Sequence, residues 1–590
     1  MNFQIKCKNK LKKGYSLIEI LIGLFFIAIL TYAIIGLFSN LLITTLSSRI
    51  NMQIMSVLEN ELEIIRVLNY EDIGIIDGWP RGKLPREKTI NYNGLEIKVN
   101  YYIRNIDNPA DGFLGGNPND LAPADYKLVE LEGLCLNCSV KTKKQTLTTI
   151  IAPKNVESSS LNGSLFIKVI NASGEPVPQA NVLVINNATS PPIIIQDLTN
   201  QQGLLQLIDI PTGTNVYQIT VSKENYSTDK TYQPGLEENP NPIIPHQTVL
   251  EQSLTSVTLQ IDLLANLLIK TINNFCQPVP NVSLKLTGQK LIGANPDIIK
   301  NIISTTTDSN GEKTLKLEWD NYNYELTNPS NIIEGYNSSS PLNILPGLNY
   351  FLRLNIASSI NNSLLITAID ENNNPIDEVE VNLSRIGFTQ TKYTKTENIN
   401  HNNWINNYSN ISQNISINED GSVSLKNIGG TYPTNTLEWL ISKTIDIGTS
   451  TNVRFLELKW SPINQPPDTE VKFQIAVNND NSNWEFIGPD GTSNSYFTIT
   501  PANLINIPNN KRYLRYKIYM KTNNENYTPV INNLGIRFSS NCLSPGQVIF
   551  SNLISGIYNI ELNKEGYQTI ATTTEINTTF KELKFILFRQ

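Results

Sequence analysis

The side chains able to do chemistry in this chain are few, and their spacing limits what they could do. Cys135-Leu136-Asn137-Cys138 is a CxxC pair. A tetrahedral zinc site needs four ligands, and no second CxxC or histidine pair completes one. Thiol–disulfide exchange would call for a thioredoxin-like βαβ setting, which the flanking residues do not supply. The surroundings favour a structural disulfide at a hairpin tip, with unpaired or differently paired thiols as the alternative. His246 and His401 are the only histidines and stand far apart. No H-E-x-x-H, Walker A, G-x-G-x-x-G or G-x-S-x-G with a triad context is present. No catalytic set, resident metal or cofactor is expected. Asp107, Asp111, Asp120 and Asp125 make an oxygen-rich loop of the kind calcium prefers, but their spacing departs from an EF-hand. A solvated acidic turn is the expectation, with calcium left open to test. Trp404, Trp439, Trp460 and Trp484, with Tyr496, Tyr513 and Tyr516, could stack on sugar faces. As large rings they more commonly anchor a core, and that is the expectation.

One further titratable residue is out of place. After a leader carrying Lys6, Lys8, Lys10, Lys12 and Lys13 and no acid, the chain reads Gly14-Tyr15-Ser16-Leu17-Ile18-Glu19, and no other charge follows until Arg49. An apolar run of that length crosses a hydrocarbon layer of ~30 Å as a helix. A carboxylate at the start of such a span is costly to desolvate and implies a partner. The run exceeds the ~7–15-residue apolar core of a secretory signal, and no A-x-A-like site follows it. The lysines keep the N-terminus cytoplasmic and send the bulk of the chain outward.

The basic leader ending in glycine, the aromatic after it and the glutamate at the fifth position beyond the glycine resemble the type IV pilin and pseudopilin family. The family usually has Phe where Tyr15 stands. The resemblance implies a prepilin peptidase cut between Gly14 and Tyr15, methylation of the new Tyr15 amine, and pairing of Glu19 with the terminal amine of a neighbouring subunit. It also implies other pilin subunits and an assembly platform as partners. The location would be the inner membrane as precursor, then the cell surface or an extracellular filament. The alternative is a single-pass anchor that never polymerises.

Around these residues the chain must supply positioning elements. A length of 590 residues is too great for one core and suggests about four domains. The net charge of −7 is modest, and no basic patch follows the leader, which argues against a nucleic-acid partner. Abundant Asn with Ile, Thr, Ser and Tyr suits short strands joined by turns. From residue 47 to 70, Ile50, Ile54, Val57, Leu58, Leu62, Ile65 and Leu68 recur at helical spacing, and Gly74, Gly78 and Pro80 end the helix. Strands are expected over 94–104, 126–132 and 140–152. Residues 15–153 then form a helix, spanning the membrane at about 17–43, with a small antiparallel sheet.

Beyond a Ser/Asn linker three passages repeat: Leu165-FIKVINASGEPVPQANVLV, Leu267-LIKTINNFCQPVPNVSLKL and Leu364-LITAIDENNNPIDEVEVNL. Each is an alternating strand, a polar turn before Pro176, Pro278 or Pro375, and a second alternating strand. Thr199 to Gly203 and Thr307 to Gly311 recur downstream. Repetition at this spacing argues for tandem β-sandwiches. The modules resemble carboxypeptidase-regulatory-like, prealbumin-like immunoglobulin-type domains, which supply no peptidase chemistry. Ser555-Gly-Ile-Tyr-Asn-Ile-Glu-Leu with Gly566-Tyr567 fits the closing stretch of that family. The fold class is therefore mainly β. Sandwiches are expected at 160–258, at 259–358, and at 362–393 with 541–590. A jelly-roll-like or discoidin-like sandwich is inserted at 394–540, with strands over 454–460, 470–477, 496–500 and 512–521. Cys276 and Cys542 fall in turns of the second and third modules. A bridge between them would clamp neighbouring sandwiches, and two lone buried thiols are the alternative. These features together read as a minor or tip subunit carrying binding modules toward a glycan or protein surface, not as an enzyme.

Overall fold

The computed structural model describes residues 17–138, 143–154, 160–358 and 361–590. It is mainly β with one long N-terminal helix, and the chain forms two compact units. The first runs to Asp262 and includes Ile292–Ile298. The second holds Leu263–Leu291 and Ile299–Gln590.

In the first unit α1 spans Leu17–Val67 without a break. Its amino-terminal half exposes its large apolar side chains, from Leu17 to Leu46. The hydroxyls of Thr31, Thr44 and Thr45 donate back to carbonyls four residues earlier, so they add no unsatisfied polar group to that surface. From Ile50 onward the helical stripe turns inward. Ile50, Ile54, Val57, Leu58, Leu62 and Ile65 are buried, and Leu68 packs at the edge. They lie on an antiparallel meander of β1 (Glu87–Tyr92), β2 (Leu95–Ile106), β3 (Tyr126–Cys135) and β4 (Gln145–Ile151). The strand β1 is additional to those expected, and Val140 lies outside the described residues. Asn93 and Gly94, both at positive φ, make the tight β1–β2 turn. Gly133 lets helix and sheet approach: a Cβ there would meet Ile54 Cγ2 at 2.5 Å.

The repeated passages build two-sheet sandwiches from the same devices. In each, the first strand pairs in parallel with a late one: Gly163–Ile170 with Leu254–Gln260, Ala265–Ile272 with Asn349–Ser358, and Asn362–Ile369 with Phe580–Ile586. The polar turn is held by one side chain. Asn171, Asn273 and Asp370 each accept two backbone N–H groups through Oδ1 at 2.7–3.0 Å, closing the chain onto Pro176, Pro278 or Pro375. Thr199, Thr307 and Thr394 accept from the amides of Ala180, Val282 and Val379 at 2.9–3.0 Å.

A positive-φ glycine then approaches the first strand, and its carbonyl accepts from Val169, Thr271 or Ala368. It is Gly203, Gly311 and, in the third repeat, Gly546. A Cβ at these glycines would lie 2.4–2.6 Å from a backbone oxygen, so no other residue fits. Tyr217, Tyr322 and Tyr558 complete the set, each donating its hydroxyl to a carbonyl four to six residues upstream.

In the third sandwich the glycine and tyrosine come only after a long excursion with its own core around Trp404, Trp460, Phe473 and Phe538. One sheet of this excursion holds Glu397–His401, Asn533–Ser539 and Arg454–Ser461; a second holds Glu438–Ser442, Tyr513–Thr522 and Thr469–Asn478; a small third joins Ile415–Ile417, Val423–Leu425 and Val530–Ile531. Residues 496–500 do not form the strand expected of them. Phe497 makes a single bridge to Phe473.

Candidate functional site

Gly14 and Tyr15 lie outside the described residues, as does the side chain of Glu19, whose backbone is the third residue of α1. The helix places its polar anchor much later. Glu61, buried among the apolar residues facing the sheet, accepts from Tyr101 Oη (2.6 Å) and Lys88 Nζ (2.8 Å). Burial and the Glu61 carboxylate hold the Tyr101 phenol well above its ordinary range, so it stays a donor. Lys127 donates to the carbonyls of Tyr70 and Ile73 just beyond the helix, at 2.8 and 2.7 Å, and burial lowers its pKa. These residues fix where the helix leaves the sheet. No sequence motif marks them, because each partner comes from a different element.

The four cysteines among the described residues form two disulfides, Cys135–Cys138 and Cys276–Cys542. The first closes the end of β3. The second joins the turn after strand Ala265–Ile272 to the residues returning from the excursion, where further contacts gather. Phe275 packs on Phe538, and Asn355 Nδ2 donates to the Cys542 carbonyl (2.7 Å) and to Asn274 Oδ1 (2.8 Å). In the acidic loop, carboxylate oxygens of Asp111, Asp120 and Asp125 lie within 4.8 Å of one another, an arrangement that could hold a hard cation. Burial and these neighbouring carboxylates raise the Asp107 pKa to about 6. Both histidines are engaged in structure: His246 Nδ1 pairs with Thr231 Oγ1 (2.8 Å), and His401 Nδ1 with the Tyr516 hydroxyl. Burial lowers the pKa of each.

The aromatic residues of the excursion divide between its core and the outer face of the sheet built on Tyr513–Thr522. Trp404 is fully buried, its Nε1 donating to Tyr516 Oη (2.9 Å), and Trp460 stacks on Phe473 at 4.4 Å. Trp439 and Trp484 instead lie half-buried on the outer face. There the cross-strand register sets Trp439, Tyr519 and Lys472 in one row and Ile441, Lys517 and Gln474 in the next. Lys517 Nζ sits 4.6 Å from the Trp439 ring and 4.7 Å from the Tyr519 ring, and the Arg515 guanidinium 4.5 Å from the Trp484 ring. In the sequence Lys511, Arg512, Arg515, Lys517 and Lys521 fall within one short run, a basic cluster left out of the sequence-based expectation, but which rings the cations meet is set only by strand pairing.

No protein-family model matches the chain, and no curated protein matches it. Among solved structures, the Bacillus anthracis TIE protein aligns with 86% of this chain at 12% identity and a TM-score of 0.15. The chain spans 61% of that protein's length. A shaft pilin of Lactobacillus rhamnosus GG aligns over 34% of this chain and 99% of its own, at 10% identity and a TM-score of 0.14. The minor pilin of Streptococcus agalactiae aligns over 33% and 96%, at 14% identity and a TM-score of 0.17. Scores this low carry nothing over to this chain.

Proposed function

We propose that the chain is a minor subunit of a type IV pilus-like or secretion-type filament, with its tandem sandwiches displayed as binding and spacer modules. The observation that supports this reading most is the division of α1. One unbroken helix is apolar and outward-facing over its first half, then packs on a four-stranded meander over its second. A helix built only to anchor need not continue into the fold, whereas one that enters a helical bundle must carry its own globular head rigidly behind it. In this reading the peptidase cuts after Gly14, the Tyr15 amine is methylated, and Glu19 pairs with the amine of an adjacent subunit. Two charges that would be costly alone in an apolar bundle then offset one another. The partners are other pilin subunits, the prepilin peptidase, the assembly platform, and a glycan or protein at a surface. The bulk following the head suits a rare or tip position better than a major one.

N-terminal sequencing of the exported protein tests the processing step: a methylated Tyr15 is expected, and an intact Met1 overturns it. Glu19→Ala is expected to leave the chain in the membrane and remove it from sheared filaments. Unchanged filament incorporation, or no filament in either strain, returns the chain to a non-polymerising anchored protein.

A further inference from the structure

The outer face of the sheet built on strand Tyr513–Thr522 carries charge that the protein does not neutralise. Lys472 is paired with Glu470 (3.4 Å) and Arg512 with Asp446 (2.8 Å), which closes the two ends of the face. Between them Arg515 and Lys517 have no carboxylate within 4 Å among the described residues. Arg515 spends only its Nε, on Thr444 Oγ1 at 2.9 Å, leaving its two terminal nitrogens unassigned. The cations are held by rings: Trp484 for Arg515, and Trp439 and Tyr519 for Lys517. A ring quadrupole positions a cation without cancelling its charge. Burial lowers the pKa of both groups with no acid to offset it, so a bound anion would recover what their partial desolvation costs. The exposed Lys443 stands next in sequence to Thr444 and adds a further positive charge at that end.

We propose that this face binds an acidic oligosaccharide, with Arg515 and Lys517 each taking one anionic group and the half-buried Trp439 and Trp484 rings supporting the sugar planes. Alternate residues on a strand stand about 7 Å apart, which sets the spacing of the two anionic groups. The ion pairs at both ends limit the site to a short segment, which suits discrete charges on a saccharide. A single-stranded nucleic acid would need a longer, continuous row of cations. This names the ligand class for the display role proposed above. Its test uses purified protein, so a failed filament assay and a failed binding assay are separate results.

The full chain in detergent micelles is titrated with oligogalacturonate, with the same oligosaccharide fully methyl-esterified, and with oligo-dT, over a series of NaCl concentrations. Binding of the free acid and its loss on esterification are expected. Arg515→Gln and Lys517→Gln should each weaken binding about ten-fold, as removal of one charge-assisted contact does, and lower the salt slope by about one. Trp439→Ala should weaken binding while leaving that slope unchanged. Equal binding of free and esterified sugar, no binding of either, or tighter binding of oligo-dT overturns the proposal, and these outcomes need no variant. Wild-type affinity in both Gln variants at unchanged melting temperature overturns it as well.

Discussion

Glu61 and Lys517 are both charged side chains drawn partly out of water against aromatic residues, and the protein treats them oppositely. Glu61 sits inside the helix–sheet interface and receives a phenol and an ammonium, so its charge and its lone pairs are answered from within the fold. Lys517 lies on an outer sheet face and receives only ring faces. Where a buried charge is fully answered, removing it destabilises the structure. Where it is left with rings, removing it should alter what the surface attracts and leave the fold nearly alone. The tryptophans repeat the lesson, since Trp404, buried in the core beneath that sheet, has its indole N–H satisfied by Tyr516.

Three measurements sharpen or break this contrast. The largest effect is expected at Glu61→Ala, which orphans the Tyr101 hydroxyl and opens a gap against the sheet. A loss of about 2–3 kcal/mol of stability in the first unit is expected by denaturant titration, with Glu61→Gln costing less. A loss under ~0.5 kcal/mol would mean the interface does not depend on the answered charge. Lys517→Met comes next. It keeps the apolar stem against the rings and should shift stability by less than about 1 kcal/mol. A larger loss would make the outer face a second core.

The smallest effect concerns Asp107, an intermediate case whose carboxyl is part-buried beside other acids with a pKa near 6. Its folded pKa lies above the unfolded value of about 3.9, so the native state holds the proton more tightly. The contribution of Asp107 is then favourable at low pH and lost as pH rises through about 6. Asp107→Asn, which mimics the protonated form, should gain in melting temperature relative to wild type above pH 6 and match it near pH 4. A gap that does not vary with pH would remove the argument.

Much of this architecture was legible in the chain itself. The stripe from Ile50 to Ile65 specifies the buried half of α1, and the Pro176, Pro278 and Pro375 passages specify three openings of one motif. Their turn residues Asn171, Asn273 and Asp370 can be read because the hydrogen bonds they make are local. Gly546 is harder to align with Gly203 and Gly311, since a complete second core intervenes before the third sandwich resumes. The triad of Glu61, Lys88 and Tyr101 and the face around Lys517 were not legible. The first needs a helix residue to meet two strands of a hairpin. The second needs segments distant in sequence to bring Trp439 and Trp484 beside the basic run at Lys511 to Lys521, where a one-residue slip in register would send those strand side chains to the opposite face. The expected strand at 496–500 failed for a related reason: its alternation is real, but the neighbouring edge accepts only one bridge from it.

The Cys276–Cys542 bond has a mechanical meaning for anything that pulls on this molecule. Traction between α1 and the terminal strand Phe580–Ile586 passes through the sulfur bridge and bypasses the polypeptide between the two cysteines. With a sequence separation of 266 and ~3.4 Å of extended chain per residue, close to 900 Å of slack stays locked away until the bridge is reduced. Tension reaching the sheet around Lys517 enters inside this closed circuit and leaves through both cysteines at once. The excursion is thus a loop that can be loaded but not paid out.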